Sequence, residues 1–368
     1  MKKNWLLLLT VFVLMLLIAA CGGSDEEEGN EEASADEGSE TEETEGDGSG
    51  DLEDFAEGSD EDSAQTLRIS IGVNDKHPEY EGAMKFKELV EEQTDDFNVE
   101  VYHSGQIADD RAAVEMLQLG SLEITIPSTS PMVNFVPEYG VFDLPFTMPS
   151  AEVADQVLDG EFGDKMMGLL EDQGLVGLAW WENGFRNLTN DAKSVESIDD
   201  LDGLKIRTME NDIHLDAWEE MGANPTPMAF TELFSAMQQG TVDGQENPYP
   251  TIELENYYEV QDYLSGTNHV YTPFIFLMDK NLWDSFDEEQ QTLLKEAAVE
   301  AGEFNRQRSR EVAEESLENL KEDMEFSEIS DEEMERFREA VEPVIEKHKD
   351  SIGADIVDEY LAEIEKYE

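Results

Sequence analysis

An α/β fold of two similar domains with a cleft between them is what the sequence predicts, on three observations. Strand-like and helix-like segments alternate from Leu67 to Ser128. A helix–glycine–strand phrase, "EMLQLGSLEIT" at 115–125, returns as "SAMQQGTVDGQ" at 235–245, aligned on Gly120 and Gly240. A helical stretch from Glu288 to Glu325 contains no proline and one glycine, Gly302, and is too long for one small domain. Alternating strands and helices indicate a largely parallel sheet, and 368 residues hold two domains at about 150 each.

The chain opens with a positive pair, Lys2 and Lys3, followed by an apolar run from Trp5 to Ala20 that ends in Ile18-Ala19-Ala20-Cys21. A short apolar run with a basic start and small residues at its end reads as a secretory signal over 1–20. The single cysteine, Cys21, stands where a bacterial lipoprotein signal places its acylated residue, so the expected location is the outer face of the cytoplasmic membrane. One cysteine excludes intrachain disulfides and thiolate metal clusters. Residues 24–65 carry 20 Asp or Glu, no Lys or Arg and almost nothing apolar, which predicts a disordered, self-repelling tether over 21–65. Within it Asp47, Ser49 and Asp51 alternate as in a calcium loop, but Leu52 stands where the sharp turn needs glycine. With 90 acidic and 23 basic residues the net charge is −67, which excludes nucleic-acid partners and suits a salty medium.

After the tether, "LRISIGVN" (67–74) reads as a strand, and "EYEGAMKFKELVEEQT" as a helix with Ala83, Phe86, Leu89 and Val90 on one face. "FNVEVYHSG" is a second strand, "DDRAAVEMLQLG" a helix stopped by Gly120, and "SLEITIPS" a third strand. Further on, Ser285 and Glu288 form a candidate capping box ahead of the long helix. At 1.5 Å per residue that helix would run on the order of 55 Å if continuous, far enough to cross from one domain to another, with a break near Gly302 as the alternative.

The sequence has no G-x-S-x-G elbow, H-E-x-x-H helix, P-loop or G-x-G-x-x-G turn, and its five histidines lack zinc-ligand spacing. No catalytic, metal or cofactor site is expected. Positive charge is scarce, and two arginines occupy apolar settings: Arg186 in "WWENGFRNLTN" and Arg207 in "GLKIRTMEN". A guanidinium is a planar fork that matches a carboxylate, and burying one is costly unless an anion meets it. Either arginine alone reads as an internal ion pair; two, each opening into Asn/Thr-rich turns, favour a shared anion site. In "GTVDGQENPYP" the polar Gln245-Glu246-Asn247 falls on a tight loop after a strand, where ligands of open α/β sheets sit. Phe230 in "NPTPMAF" stands before a helix, and core packing is its plainer role.

Taken in order, "NGFRNLTN", "LDGLKIRTMEN", "GANPTPMAF", "QQGTVDGQENP" and "YYEVQDYL" resemble the solute-binding proteins of tripartite ATP-independent periplasmic (TRAP) transporters, above all the sialic-acid- and dicarboxylate-binding members. The resemblance runs from about Leu67 to the C-terminus. It implies a periplasmic-binding-protein-like molecule with hinge strands and a domain-crossing helix. The boundaries expected are 66–183 plus 272–312 for the first domain and 184–271 plus 313–368 for the second. It further implies that Arg207 anchors a substrate carboxylate, that Arg186 supports it, that Asn247 hydrogen-bonds the ligand, that Phe230 packs against it and that Asn74 contributes from the first domain. Sialic-acid binders carry a glutamate where this chain has Ser128 and an asparagine where it has Glu210, which implies another substrate. A sugar acid whose hydroxyls meet Glu210, or a C4-dicarboxylate held between the arginines, are the two expectations. The partner implied is a TRAP permease; the competing readings are a ligand-presenting subunit of a receptor kinase and an extracytoplasmic enzyme on acidic sugars.

Overall fold

The computed structural model describes residues 64–367. The signal segment, Cys21, the calcium-like run 47–52 and all but the last two residues of the expected tether lie outside them. Gln65, assigned to the tether from sequence, already begins the first strand.

Eleven strands are described: β1 Gln65–Ser70, β2 Phe97–Tyr102, β3 Ile124–Thr125, β4 Leu175–Phe185, β5 Asn187–Asn190, β6 Lys205–Thr208, β7 Asn224–Pro227, β8 Gly244–Asn247, β9 Tyr263–Gly266, β10 Tyr271–Asp279 and β11 Glu325–Glu328. They form a five-stranded sheet ordered β2-β1-β3-β10-β4 and a six-stranded sheet ordered β11-β9-β5-β8-β6-β7. The first five positions correspond: β2-β1-β3-β10-β4 is matched by β7-β6-β8-β5-β9. In each, three parallel strands are followed by two that run antiparallel to their neighbours. The sheets are therefore mixed where the sequence suggested a largely parallel one. The cause is an exchange of strands. β4 belongs to the first sheet and continues through Arg186 alone into β5 of the second, while β9 of the second leads through 267–270 into β10 of the first.

The recurring phrase marks the same corner in both halves. Helices Asp110–Gln118 and Leu233–Gln238 each stop at a glycine with φ +66°. The N–H groups of Gly120 and Ser121 bond Leu117 and Met116 carbonyls, and those of Gly240 and Thr241 bond Met237 and Ala236 carbonyls. This left-handed stop closes the helix and aims the chain into β3 or β8.

Helix Pro78–Glu91 starts on Pro78 with His77 as its cap and buries Ala83, Phe86 and Val90 against the first sheet. The long helix is unbroken over 36 residues, Glu288–Asp323. Its capping box lies two residues beyond the one expected: Asp287 accepts from Glu289 and Gln290, and Gln290 accepts from Asp287. Ser285 instead donates to the Leu282 carbonyl, closing the short helix Lys280–Ser285. The first half of the long helix packs on helix Pro78–Glu91 and β4, and its last turns meet helix Tyr249–Leu254 of the other half, where Asn319 donates to Glu253 at 2.7 Å. Its charged middle is tied down by side chains: Asn305 accepts from the Glu182 N–H at 2.8 Å, and Arg306 forks onto Asp159 at 2.5 and 2.8 Å. The closing helix Ala354–Tyr367 packs on Ala151–Leu158 and Glu161–Gly168, which the expected boundaries assign to the other domain.

Gly302 does not break the helix; it lets the helix approach. A Cβ there would stand 2.7 Å from Trp181 Cδ1, and one on Gly82 would stand 2.6 Å from Trp181 Cζ3, so two glycines clasp one indole. The indole N–H donates to the Ala298 carbonyl at 3.1 Å. Gly302→Ala should gain about 1 kcal/mol of helix propensity but lose about 1–3 kcal/mol by overpacking. A net fall in stability by denaturant titration is the expected outcome; a net rise would show that Trp181 shifts freely.

Candidate functional site

One cavity lies between the sheets, with about 560 Å³ of empty space, part of it open to solvent. Arg186, Arg207 and Asn247 line it from the second sheet and its crossing; Glu79, Asp110, Ser128 and Phe274 line it from the first. Met209, Glu210 and Phe230 complete the wall where β6 and β7 end.

Arg186 is the single residue between β4 and β5, and its N–H bonds the Val270 carbonyl of the second crossing at 2.9 Å. Its guanidinium is buried, and two of its three nitrogens are committed. Nε donates to Glu246 Oε2 at 2.5 Å, and Nη2 to Glu246 Oε1 at 2.9 Å, the Glu246 carbonyl at 2.5 Å and Asn247 Oδ1 at 3.0 Å. Glu246 also meets His269 Nε2 at 3.1 Å. Burial alone would raise the Glu246 carboxyl, but the Arg186 charge and the hydrogen bonds from His269 and Arg186 hold it well below the usual range.

Arg207 differs. It lies on β6, as expected, and is just as buried, yet Nε and Nη2 donate only to the Met228 carbonyl, at 2.9 and 2.6 Å. No carboxylate forms an ion pair with it among the described residues. Burial lowers its guanidinium to about 10, against the pull of Glu246, so it remains a cation at neutral pH. Nη1 of Arg207 and Nη1 of Arg186 are both buried without a hydrogen-bond partner. Unpaired buried donors are rare because each forfeits its hydration.

Gly244–Asn247 forms strand β8 rather than the tight loop expected, because β5 and β6 pair it on both sides. Its buried amides are satisfied along the strand: Gln245 donates to Thr189 Oγ1 at 2.9 Å and Asn247 to Gln245 Oε1 at 2.5 Å.

Of the seven residues singled out, Arg207, Arg186, Asn247, Phe230, Glu210 and Ser128 line the cavity and Asn74 does not. The Asn74 amide is committed elsewhere, donating to the Leu254 carbonyl at 2.7 Å while its oxygen accepts from Lys76, and its backbone N–H meets Glu255 at 2.8 Å. Glu210 is partly exposed, and Arg111 from the facing helix stands 3.5 Å from its carboxylate. Ser128 donates its N–H to Asp110 Oδ2 at 3.1 Å and leaves Oγ buried and unpartnered.

Two lining residues were invisible in a chain so rich in acids. Asp110, behind the cap residue Asp109, is half-buried, and the loss of solvent around it pushes its carboxyl up to about 6 against the Ser128 hydrogen bond. Glu79, second in helix Pro78–Glu91, is 1 % exposed. Burial, then the charges of Asp110 and Glu255, push its carboxyl well above the usual range. Only the imide-fixed start at Pro78 distinguished its position in the sequence. Among the described residues no cluster of His, Cys, Asp and Glu has metal-holding geometry, and no helix is long and apolar enough to cross a membrane.

Comparison with known proteins places this arrangement. The family model for bacterial extracellular solute-binding proteins of family 7 matches residues 69–351. The C4-dicarboxylate-binding protein DctB of Bacillus subtilis is 31 % identical over 298 residues, covering 80 % of this chain and 85 % of its own length. The sugar acid binding protein of Advenella mimigardefordensis, solved with galactonate, superposes with a TM-score of 0.82 at 40 % identity, covering 83 % of this chain and 99 % of its own. A TRAP periplasmic solute-binding protein of Polaromonas sp. JS666, bound to D-erythronate, gives 0.78 at 37 % identity, with 81 % and 98 % covered. The chain thus belongs to the bacterial extracellular solute-binding proteins of family 7, the solute-binding proteins of TRAP transporters.

Proposed function

We propose that this protein captures a small organic acid by its carboxylate on Arg207 and delivers it to a TRAP permease for import. The observation that carries the reading is a buried, permanently charged guanidinium with no counter-ion and a free N–H facing a cavity. A bound carboxylate would supply the missing charge and accept that N–H together with Nη1 of Arg186. Asn247 and Phe230 would hydrogen-bond and pack the ligand, with Ser128 and Glu210 meeting hydroxyls along its length. The substrate is a sugar acid or a C4-dicarboxylate, the two kinds of ligand that the similar proteins named above bind. Ligand that prefers the closed arrangement would shift an open–closed equilibrium about the strand crossings. The reading needs only capture and release and involves no catalytic step.

The two arginines should respond differently to truncation. Arg207→Ala removes a buried charge that the fold leaves unpaired, so it should weaken carboxylate binding by about 2–5 kcal/mol in titration calorimetry and leave thermal stability nearly unchanged. Arg186→Ala strands Glu246 in the interior and should cost about 3–5 kcal/mol of fold stability. Unfolding of the Arg207 variant with intact binding would make Arg207 a structural residue and end this reading. In a thermal-shift panel, a true ligand at 100 times its dissociation constant should add about 2.7 kcal/mol.

The sequence around Cys21 supports a lipid-anchored receptor on the outer face of the cytoplasmic membrane. In bacterial cells fed a labelled fatty acid, label should enter the protein and be lost in Cys21→Ser. Label retained by that variant would remove the anchor from the proposal.

A further inference from the structure

The cavity is electrically two-ended, and its unsatisfied atoms outline what would fill it. At the β6 end stand the free N–H groups of Arg186 and Arg207; at the end built from the first sheet stand Ser128 Oγ and Glu79 Oε1, both buried without a partner. Arg186 is neutralised by the Glu246 fork, so Arg207 alone offers uncompensated positive charge. Glu79 lines the other end, and Asp110, close enough to feel Arg207 and to act on Glu79, lies between them.

We infer that Glu79 is a specificity-determining residue that hydrogen-bonds a ligand hydroxyl, so that the site selects hydroxylated monocarboxylates of the aldonate kind and rejects dicarboxylates. This rests on the carboxylate-capture reading above. A second carboxylate reaching past Asp110 toward Glu79 would meet the Asp110 charge with no unpaired cation beside it, and like charges brought together in a low-dielectric site repel strongly. A hydroxyl has no such cost and serves Glu79 in either protonation state, accepting from the acid or donating to the carboxylate. The burial of Glu79, with Asp110 and Glu255 nearby, favours the protonated form. His77 is not a competing partner for the carboxyl: its Nδ1 accepts from the Glu79 backbone N–H at 3.2 Å, and its Nε2 meets Thr251 Oγ1 at 3.1 Å. The side chain is thereby left free to meet a solute.

The test is titration calorimetry with galactonate, gluconate, succinate, malate and hexanoate on the wild type, Glu79→Gln, Glu79→Met and Arg207→Ala. Wild type should bind one of the aldonates at least 10-fold more tightly than either dicarboxylate. Glu79→Met, matched in size and apolar, should weaken aldonate binding about 10- to 100-fold and leave weak hexanoate binding unchanged, while its melting temperature holds or rises because an unpaired buried acid is gone. Glu79→Gln, which can still donate and accept, should stay within a few-fold of wild type for aldonates and for succinate alike. Succinate or malate binding as tightly as the aldonates in wild type, or aldonate affinity unmoved in a folded Glu79→Met, overturns the inference while leaving carboxylate capture intact. If Arg207→Ala binds every acid as wild type does, carboxylate capture itself fails, and this inference falls with it.

Discussion

The buried contact of Arg186 with Glu246 is the constraint on which the rest of the molecule turns. Arg186 is the only residue between β4 and β5, and His269, which shares Glu246, sits in the other crossing between β9 and β10. One carboxylate on β8 therefore pins both places where the chain passes from sheet to sheet. Such a pair stabilises little in net terms, because desolvation offsets most of its attraction, but breaking it leaves an uncompensated charge inside. Its effect is to fix geometry. By consuming the Glu246 charge, it also leaves Arg207, on the adjacent strand, as the unpaired cation of the cavity.

Around that point the two halves repeat a plan. Each begins with parallel strands joined through a helix that stops at a left-handed glycine, and each is completed by a strand lent from the other. Two sheets sharing strands in this way can rotate about the crossings but cannot separate. The long helix adds a third tie, held to β4 by Asn305, Arg306 and Arg310 and by the clasp of Gly82 and Gly302 on Trp181. Polar side chains in its middle thus do the joining that apolar ones do at its start.

Much of this was legible in the sequence because it rests on local rules. The Gly120 and Gly240 stops, the strand around Arg207 and the helix from Glu288 follow from periodicity and punctuation. What was not legible depends on partners distant in the chain. Nothing near Glu246 reveals that Arg186 will fork onto it from 60 positions away, so "QEN" read as a loop when it is a buried strand. The cap of the long helix was misplaced because Ser285 and Asp287 are both competent, and the choice fell to a short helix that claims Ser285. Asn74 was assigned to the site by resemblance, but its amide joins the loop after β1 to Leu254 instead. Glu79 and Asp110 were hidden by abundance: among 90 acids, one buried and one half-buried carry no mark.

The rim pair Arg111 and Glu210 shows how little positive charge this protein offers to the outside, and the net charge of −67 sets the terms of encounter. On the proposed function, an anion drifting toward the cavity would climb a repulsive potential until it came within reach of Arg207. In dilute medium that barrier slows arrival; in brine, with a Debye length of about 3 Å at 1 M, it all but vanishes. Departure is governed by buried contacts that salt screens far less. On the proposed function, the on-rate would rise with salinity while the lifetime of the complex stayed nearly constant.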